Sequence, residues 1–541
     1  IPTMADLGLA EVNIMKLHAL TALTNWRREK AVAPNGMFPE HMRTIACMAQ
    51  TEDYARSAIA EYDTYTTCLL NGQLPGWFTQ AMSAATVIAL FKTSEQRNDA
   101  IRPIMILGFD LQVASRVLME RHQDAARKLL EPYQVAVGMP DAHGHLVHGT
   151  RLLLEEHEGF GVVKVDVEKM YPSLHVGTVL QKLATLPGEL KEIAVAMFTI
   201  YALPGLAVAG SHFHDDLRGD GLTMGNQLSS FSACFTIQPA LQAAQQAMRD
   251  YTNSDSTVVR GQMDDILLVG PAEACAQGIE VLNATLSEVG LRLHGTKSEH
   301  YFPPEADTAR LRALGSTATS REDSRGQNHF GVVVSGIPLG QPGFVRTFLD
   351  EKVTGFEKSL TNSFQLAHRS SFATFALVQY THNRRFNHWL RYCLPTETEE
   401  SARRLDQALL SAHEQLTGIT FDSNVHLKQW YFSPIRANGT GAILNVDATD
   451  SAFAGGFLDN IPRLFNHTVA GHVVEGFLQS QSVSDKYVPP DAAPNAKLIE
   501  HTRLGQEFAA AHARMQEKVP HPPVNSPLAV DAVDVTATGR R

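Results

Sequence analysis

From residue 38 to residue 91 the apolar positions recur at helical spacing, through Met42, Ile45 and Met48 and then Tyr54, Ile59 and Tyr62. With a break at 72–76, the pattern predicts a helical approach segment. A short extended stretch around Arg102 and Pro103 follows, and then a long amphipathic helix over 111–130 that Pro132 stops. The run GVVKVDV at 161–167 is rich in valine and bounded by glycine and a turn, which is the pattern of a buried strand. Helices are predicted over 175–186, 188–201, 227–250 and 271–289, the last closed by Gly290. Between them lie a hairpin with an exposed tip at 205–221 and a strand pair over 258–269 that turns at Asp264 and Asp265. Strand and helix alternate through this whole block, so it belongs to a layered α/β or α+β structure.

Beyond Gly343 the pattern is almost wholly helical to about residue 416, which marks a separate helical subdomain. From Val483 onward Pro, Ala and Val dominate, apart from a helix predicted over 496–517, and the end reads as a flexible tail. No internal repeat is seen.

Composition narrows the class. Hydrophobic residues at 44% and charged residues at 19% are an ordinary globular balance, and 541 residues call for two to four packed subdomains. The net charge of -11 runs against a protein coated in phosphate-binding cations, so any basic channel has to be local. Two clusters could supply it: Arg116, Arg121, Arg127 and Lys128 on one helix, and Arg384, Arg385 and Arg391 on a later one. Solvated helix faces are the other reading of both, and an acidic total also suits a protein among basic partners in a larger assembly. The five cysteines are scattered, with no metal-ligand spacing and no disulfide framework, which points to an intracellular, reducing compartment. No apolar run is long enough to span a membrane, and a soluble chain without membrane partners is expected. The opening Ile1 suits a cleaved transit peptide, excision from a longer product, or simple trimming.

The candidate chemistry lies in the acids. Asp166 ends the valine-rich strand and Asp264-Asp265 sits in a tight turn within RGQMDDILLVG. Adjacent acids between apolar strands are expensive to bury unless a cation accompanies them. Asp215-Asp216 is read as an ordinary surface pair. His143, His145 and His148 in HGHLVH, with His212 and His214 in SHFHDD, are loosely spaced like metal ligands; with no cysteine nearby they are read as surface or capping histidines, and no zinc is assigned.

The pieces IRPIMILG, LEPYQVAVG, VKVDVEKMYPSL, GLTMGNQLSSF, GQMDDILLVG, GLRLHGTKSEHYF, SGIPLGQPGFV and THNRRFNHWLRYCLP occur in this order over about 74–465. In that order they resemble reverse transcriptases, most closely those of LINE-like (non-LTR, jockey-like) mobile elements, and a domesticated derivative of one fits the same resemblance. It implies an α+β right-hand polymerase with fingers, an RRM-like palm built on an antiparallel sheet, and a helical thumb. The corresponding boundaries are a helical N-terminal extension at 1–73, fingers and palm at 74–336, thumb at 337–418, a C-terminal segment packed on the core at 419–482, and an extension with a flexible tail at 483–541.

The resemblance also implies roles. Asp166, Asp264 and Asp265 would hold two Mg²⁺ or Mn²⁺ ions. Arg102 and Lys92 would lie near the incoming triphosphate, and Lys297 would act as general acid beside the leaving pyrophosphate, a lone exposed lysine being the other reading. Tyr171, five residues after Asp166, stands where an aromatic ring excludes a ribose 2′-hydroxyl and so points to dNTPs. Met224 and Gly225 would line the nucleotide pocket, while Ser229, Gln262, Arg116, Arg121, Arg384 and Arg385 would contact nucleic acid. The implied partners are an RNA template and a DNA or RNA primer.

Three positions depart from the family pattern: Gln262 replaces an aromatic residue, Met224 a glutamine and Gln227 a proline. Endonuclease, RNA-binding knuckle and RNase H signatures are not seen. The expected function is therefore an RNA-directed DNA polymerase. The alternative is a weak or inactive derivative serving as a structural or RNA-binding subunit of a larger ribonucleoprotein, with mitochondrion and nucleus not separated.

Overall fold

The computed structural model describes residues 2–26, 39–91, 101–202, 206–209, 212–215, 221–295, 297–421, 425–432, 435, 439–467 and 503–518. They form an α+β structure with three sheets. The first has β1 (Ala85–Phe91), β2 (Ile101–Leu107), β4 (Leu206–Ala209) and β5 (His212–Asp215) in the order β2-β1-β4-β5. The second has β3 (Gly161–Asp166), β6 (Val258–Gln262), β7 (Asp265–Gly270), β8 (Glu299–Tyr301) and β9 (Thr317–Ala318) in the order β6-β7-β3-β8-β9. The third has β10 (Ser320–Glu322), β11 (Asn328–Val334) and β12 (Ile337–Gly340).

The second sheet positions the acids. Both β7 and β8 run antiparallel to β3, and β6 runs antiparallel to β7, so two β-α-β units interleave through one sheet. Successive side chains of a strand point to opposite faces, and here both faces are buried. Val163, Val165, Val259, Ile266 and Leu268 enter one core, which holds the long helix Gln227–Thr252 and the helix Ala272–Glu288. Val162, Val258, Leu267 and Val269 enter the other, shared with the helix Ala142–Glu156 and the helical unit that follows. Burial on both sides explains why these strands read as continuous apolar runs instead of alternating ones.

Three expectations need correction. The segment Ala85–Phe91 was expected to continue the helical approach, yet it is β1, paired in register along its whole length with β2. Its β-branched and aromatic residues suit a strand, and a short apolar run carries no periodicity that separates strand from helix. HGHLVH lies on the helix Ala142–Glu156, with His145 and His148 buried in the core instead of at the surface. Among the described residues 2–26 there is one short helix, Leu20–Thr24. The rest is tied down as a strap: Ile14, Leu17 and Ala19 donate their backbone N–H groups to the side chains of Asn71, Thr67 and Asp63. Those acceptors are spaced by four, which sets them on one face of the helix ending at Leu70.

After β12 the elements among the described residues are helical, and Pro342–Ser363, Pro395–Thr417 and Asn445–His467 are the longest of them. The last helix, Arg503–Lys518, docks by ion pairs from Arg503 to Glu397 and from Arg514 to Asp450. Among the described residues no helix is long and apolar enough to cross a membrane. His212 and His214 fall on β5, but their side chains, and the tip of that hairpin, lie outside the described residues.

Candidate active site

The β6-β7 hairpin turns through Met263 and Asp264, with Gln262 and Asp265 facing each other as its closing pair. Met263 carries a left-handed backbone, φ +59°, which a two-residue hairpin turn of this kind demands. The turn is fastened from below by buried Gln134, whose amide accepts from the Met263 N–H at 3.3 Å and donates to its carbonyl at 3.5 Å. Local sequence made the hairpin, and a distant side chain holds its tip.

Asp166 is the register partner of Asp265 across the β3-β7 pair. Its backbone is fixed on the other side too: its carbonyl accepts from His294 N–H at 2.8 Å, and Val167 N–H reaches the Asp264 carbonyl at 3.1 Å. Two residues far apart in the chain are thus brought side by side, with Asp264 next to them on the exposed turn. Burial pushes the Asp265 carboxyl above the ordinary carboxylate range; Lys164 opposes this, while the charges of Asp264, Asp166 and Glu299 add to it. Lys164 had not been singled out, although it stands two residues before Asp166 and so on the same face of β3. It donates to the Val333 carbonyl at 3.1 Å and lies 3.8 Å from Glu299.

Lys297 Nζ lies 3.2 Å from Asp166 Oδ2, with the lysine side chain 52% exposed. An ion pair that open to water contributes roughly 0–1 kcal/mol, so another cation can displace it. Tyr171 packs beside the turn. Its hydroxyl donates to Met263 Sδ at 3.5 Å and shares a 3.0 Å hydrogen bond with Ser230, and burial holds it protonated, pushed up to about 12. Beside Ser230 and Met263 opens a cavity of about 340 Å³, lined also by Met119, Gln123 and Gln227.

The entry to the helix Gln227–Thr252 explains two glycines. A Cβ on Gly221 would stand 2.4 Å from the backbone of Pro172, and Gly225 has φ +114°, where other residues are strained. Asn226 caps that helix by accepting from Leu228 N–H. Met224 is half-buried and Gly225 exposed at this entry.

The remaining candidates divide. Ser229 is fully buried and bonded to the Tyr201 hydroxyl, so its side chain is not presented to any ligand. Gln262 is spanned by His143, at 3.2 Å from its amide nitrogen, and by the Ser335 hydroxyl, which donates to its oxygen. Arg116 pairs with Glu120 and lies over the Trp26 ring, and Arg121 is committed to Glu192 and to the Met15 and Lys16 carbonyls. Within the first basic cluster, Arg116 and Arg121 therefore fasten the N-terminal strap, while Arg127 pairs with Asp124 and Glu131. Arg384 and Arg385 are exposed, Arg385 lying over Phe356 and donating to Ser359. Arg102 lies on β2 opposite Leu90, but its side chain, like Lys92 as a whole, lies outside the described residues.

The donor set suits a hard divalent ion in kind: carboxylate oxygens, crowded enough that like charge and burial already penalise Asp265. Among the described residues no three His, Cys, Asp or Glu side chains converge as they stand on one metal position. Asp264 is exposed and Lys297 pairs with Asp166 in this arrangement. Compared with protein-family models and with curated proteins, the chain matches none.

Proposed function

We propose that this chain is an RNA-directed DNA polymerase, with Asp166, Asp264 and Asp265 as the metal-binding carboxylates. The observation that carries the reading is the register: Asp166 faces Asp265 across adjacent antiparallel strands, with Asp264 in the turn beside them. Support comes from the sheet itself, since the order β6-β7-β3-β8 is that of the split β-α-β arrangement on which an RRM-like palm is built. Fingers would then be the N-terminal elements around β1 and β2, and the thumb the helical unit after Pro342.

Two divalent ions, when bound, would lower the pKa of the attacking 3′-hydroxyl and neutralise the leaving pyrophosphate. The chain's own residues would do the rest. Asp166, Asp264 and Asp265 would hold the cations at the end of a sheet anchored on both faces. Lys297, once released from Asp166, would donate a proton to the pyrophosphate. Tyr171, held in place through Ser230 and Met263, would present its ring to the sugar and exclude a 2′-hydroxyl.

Primer extension tests this reading. Purified protein with a DNA primer annealed to an RNA template, dNTPs and Mg²⁺ should extend the primer, and Asp264→Asn with Asp265→Asn should abolish extension. Tyr171→Ala should raise incorporation of rNTPs relative to dNTPs. One observation favours the alternative, a catalytically inactive subunit of a ribonucleoprotein: the Lys297 ammonium already sits on Asp166. Absence of extension across metals and templates, together with stable co-purification with a large RNA-protein particle, would establish that alternative.

A further inference from the structure

The helical unit carries a second feature, remote in sequence from the acids. In a chain of net charge -11, residues 358–396 contain no Asp or Glu, while Lys358, Arg369, Arg384, Arg385 and Arg391 all fall within them. The helix Val425–Tyr431, which brings Lys428, is likewise free of acids. These parts pack together. Gln379 donates to the Thr440 carbonyl at 2.8 Å, Asn383 bonds both the N–H and the carbonyl of Ile443, and Thr440 N–H returns to the Tyr431 carbonyl. His413 lies between the Phe375, Tyr431 and Phe432 rings.

On this one unit large apolar side chains stand in solvent: Phe372 is 82% exposed, Tyr380 63%, Trp430 50% and Ile435 66%. Neighbouring acids are engaged elsewhere, Glu357 with Arg404 and Glu414 with the Phe421 N–H. Exposed aromatic rings interleaved with arginines, on a stretch of chain without carboxylates, suit a ligand that is both anionic and planar. A protein partner would be met equally well by the rings but gives no reason for the exclusion of acids from this stretch.

We infer that the end of the helical unit bearing Phe372, Tyr380 and Trp430 is a binding platform for single-stranded RNA. Unpaired bases stack on the rings, and phosphates lie against Arg369, Arg384 and Lys428. A duplex cannot use the rings, because its bases are already stacked on one another. The choice of RNA over DNA rests on the template proposed above; the platform itself does not depend on catalysis.

The test is anisotropy of a labelled, unstructured 20-nucleotide RNA titrated with the full chain, alone and annealed to its complement. The unpaired strand should bind more tightly than the duplex. The triple substitution Phe372→Ala, Tyr380→Ala and Trp430→Ala should weaken it by about a hundredfold or more. Arg369→Gln with Arg384→Gln should flatten the slope of log affinity against log salt by roughly 1.4. All three rings are solvent-exposed, so circular dichroism and melting should be unchanged in the triple variant. The inference is overturned if the duplex binds as well as the single strand, if the triple variant binds RNA like the parent, or if the substitutions instead abolish self-association seen by light scattering. Repeating the titration with the Asp264→Asn, Asp265→Asn chain separates the two proposals: failed extension bears on the polymerase, failed binding on the platform.

Discussion

Asp265 and Asp406 are both acids whose carboxyls burial drives upward, and they are surrounded in opposite ways. Asp406 lies within the helical unit and receives Asn445 N–H and Nδ2 at 2.7 Å on one oxygen and Val446 N–H at 2.9 Å on the other. Its charge is absorbed by the start of the helix Asn445–His467, where unpaired N–H groups and the helix dipole favour an anion. No protein donor among the described residues hydrogen-bonds the Asp265 carboxyl, and the charges that act on it are Lys164, which lowers its pKa, and two further aspartates and Glu299, which raise it. A structural carboxylate is given donors. Asp265 is set among like charges at a sheet end with Lys164 opposing them, and that difference is what the proposed cation site would use.

The largest effect that tests this contrast is on Asp265 itself. Its folded-state pKa is raised, so above the ordinary carboxylate value the folded chain holds more protons than the unfolded one, and stability falls as pH rises through that window. At neutral pH the charge is a net destabilisation. Asp265→Asn should therefore eliminate extension while raising the melting temperature, and millimolar Mg²⁺ should stabilise the parent chain but not the variant in thermal melts. A lower melting temperature in Asp265→Asn would make it a structural acid like Asp406.

Asp406→Ala should behave in the reverse manner. It leaves buried donors at a helix start without an acceptor and should cost about 3 kcal/mol in urea unfolding. Extension by the surviving folded fraction should persist.

Next comes acid sensitivity in the helical unit and its contact with the sheet. His148, buried among Tyr392, Phe453 and Phe457, is pushed down to about 3, and His413, beside Tyr431, to about 4. Both are held neutral, so their contribution is complete above the ordinary histidine pKa near 6.5 and is lost as pH falls below it. Stability should decline between pH 6 and pH 4 by about 1.4 kcal/mol per pH unit for each histidine. His148→Phe should flatten that decline, and an unchanged slope would show that His148 is not the group being charged.

The smallest expected effect on stability is that of Lys297→Ala, within roughly 0.5 kcal/mol because its ion pair faces water. Extension should nonetheless slow by on the order of tenfold to a hundredfold if the lysine supplies a proton. A large stability loss would instead make the Lys297–Asp166 pair a fixed structural element.

Much of the five-stranded sheet was legible beforehand. Valine-rich β3, the 258–269 hairpin and the helices around them announce themselves, because each is long or bounded by turn residues such as Gly290. β1 was not, since ATVIALF has no period and its character depends on β2 as a partner. The burial of His145 and His148 was hidden for a similar reason: the helix Ala142–Glu156 is enclosed by β3, β7 and the helix Asn445–His467, and only that enclosure removes the rings from water. The three-stranded sheet β10-β11-β12 was unsuspected: β10 is only three residues long and largely exposed, and β12 has only four residues.

By itself, the amino-acid sequence determined where strands and helices alternate, which acids lie at strand ends, and that a stretch of the helical unit excludes negative charge. Those are properties of local spacing and composition, carried by each segment wherever it packs. Only the tertiary structure decided that Asp166 faces Asp265, that Arg121 is consumed by the N-terminal strap while Arg384 stays in solvent, and that Gln134 holds the turn. Pairing register and burial depend on contacts between residues far apart in the chain, and no single segment encodes its partner.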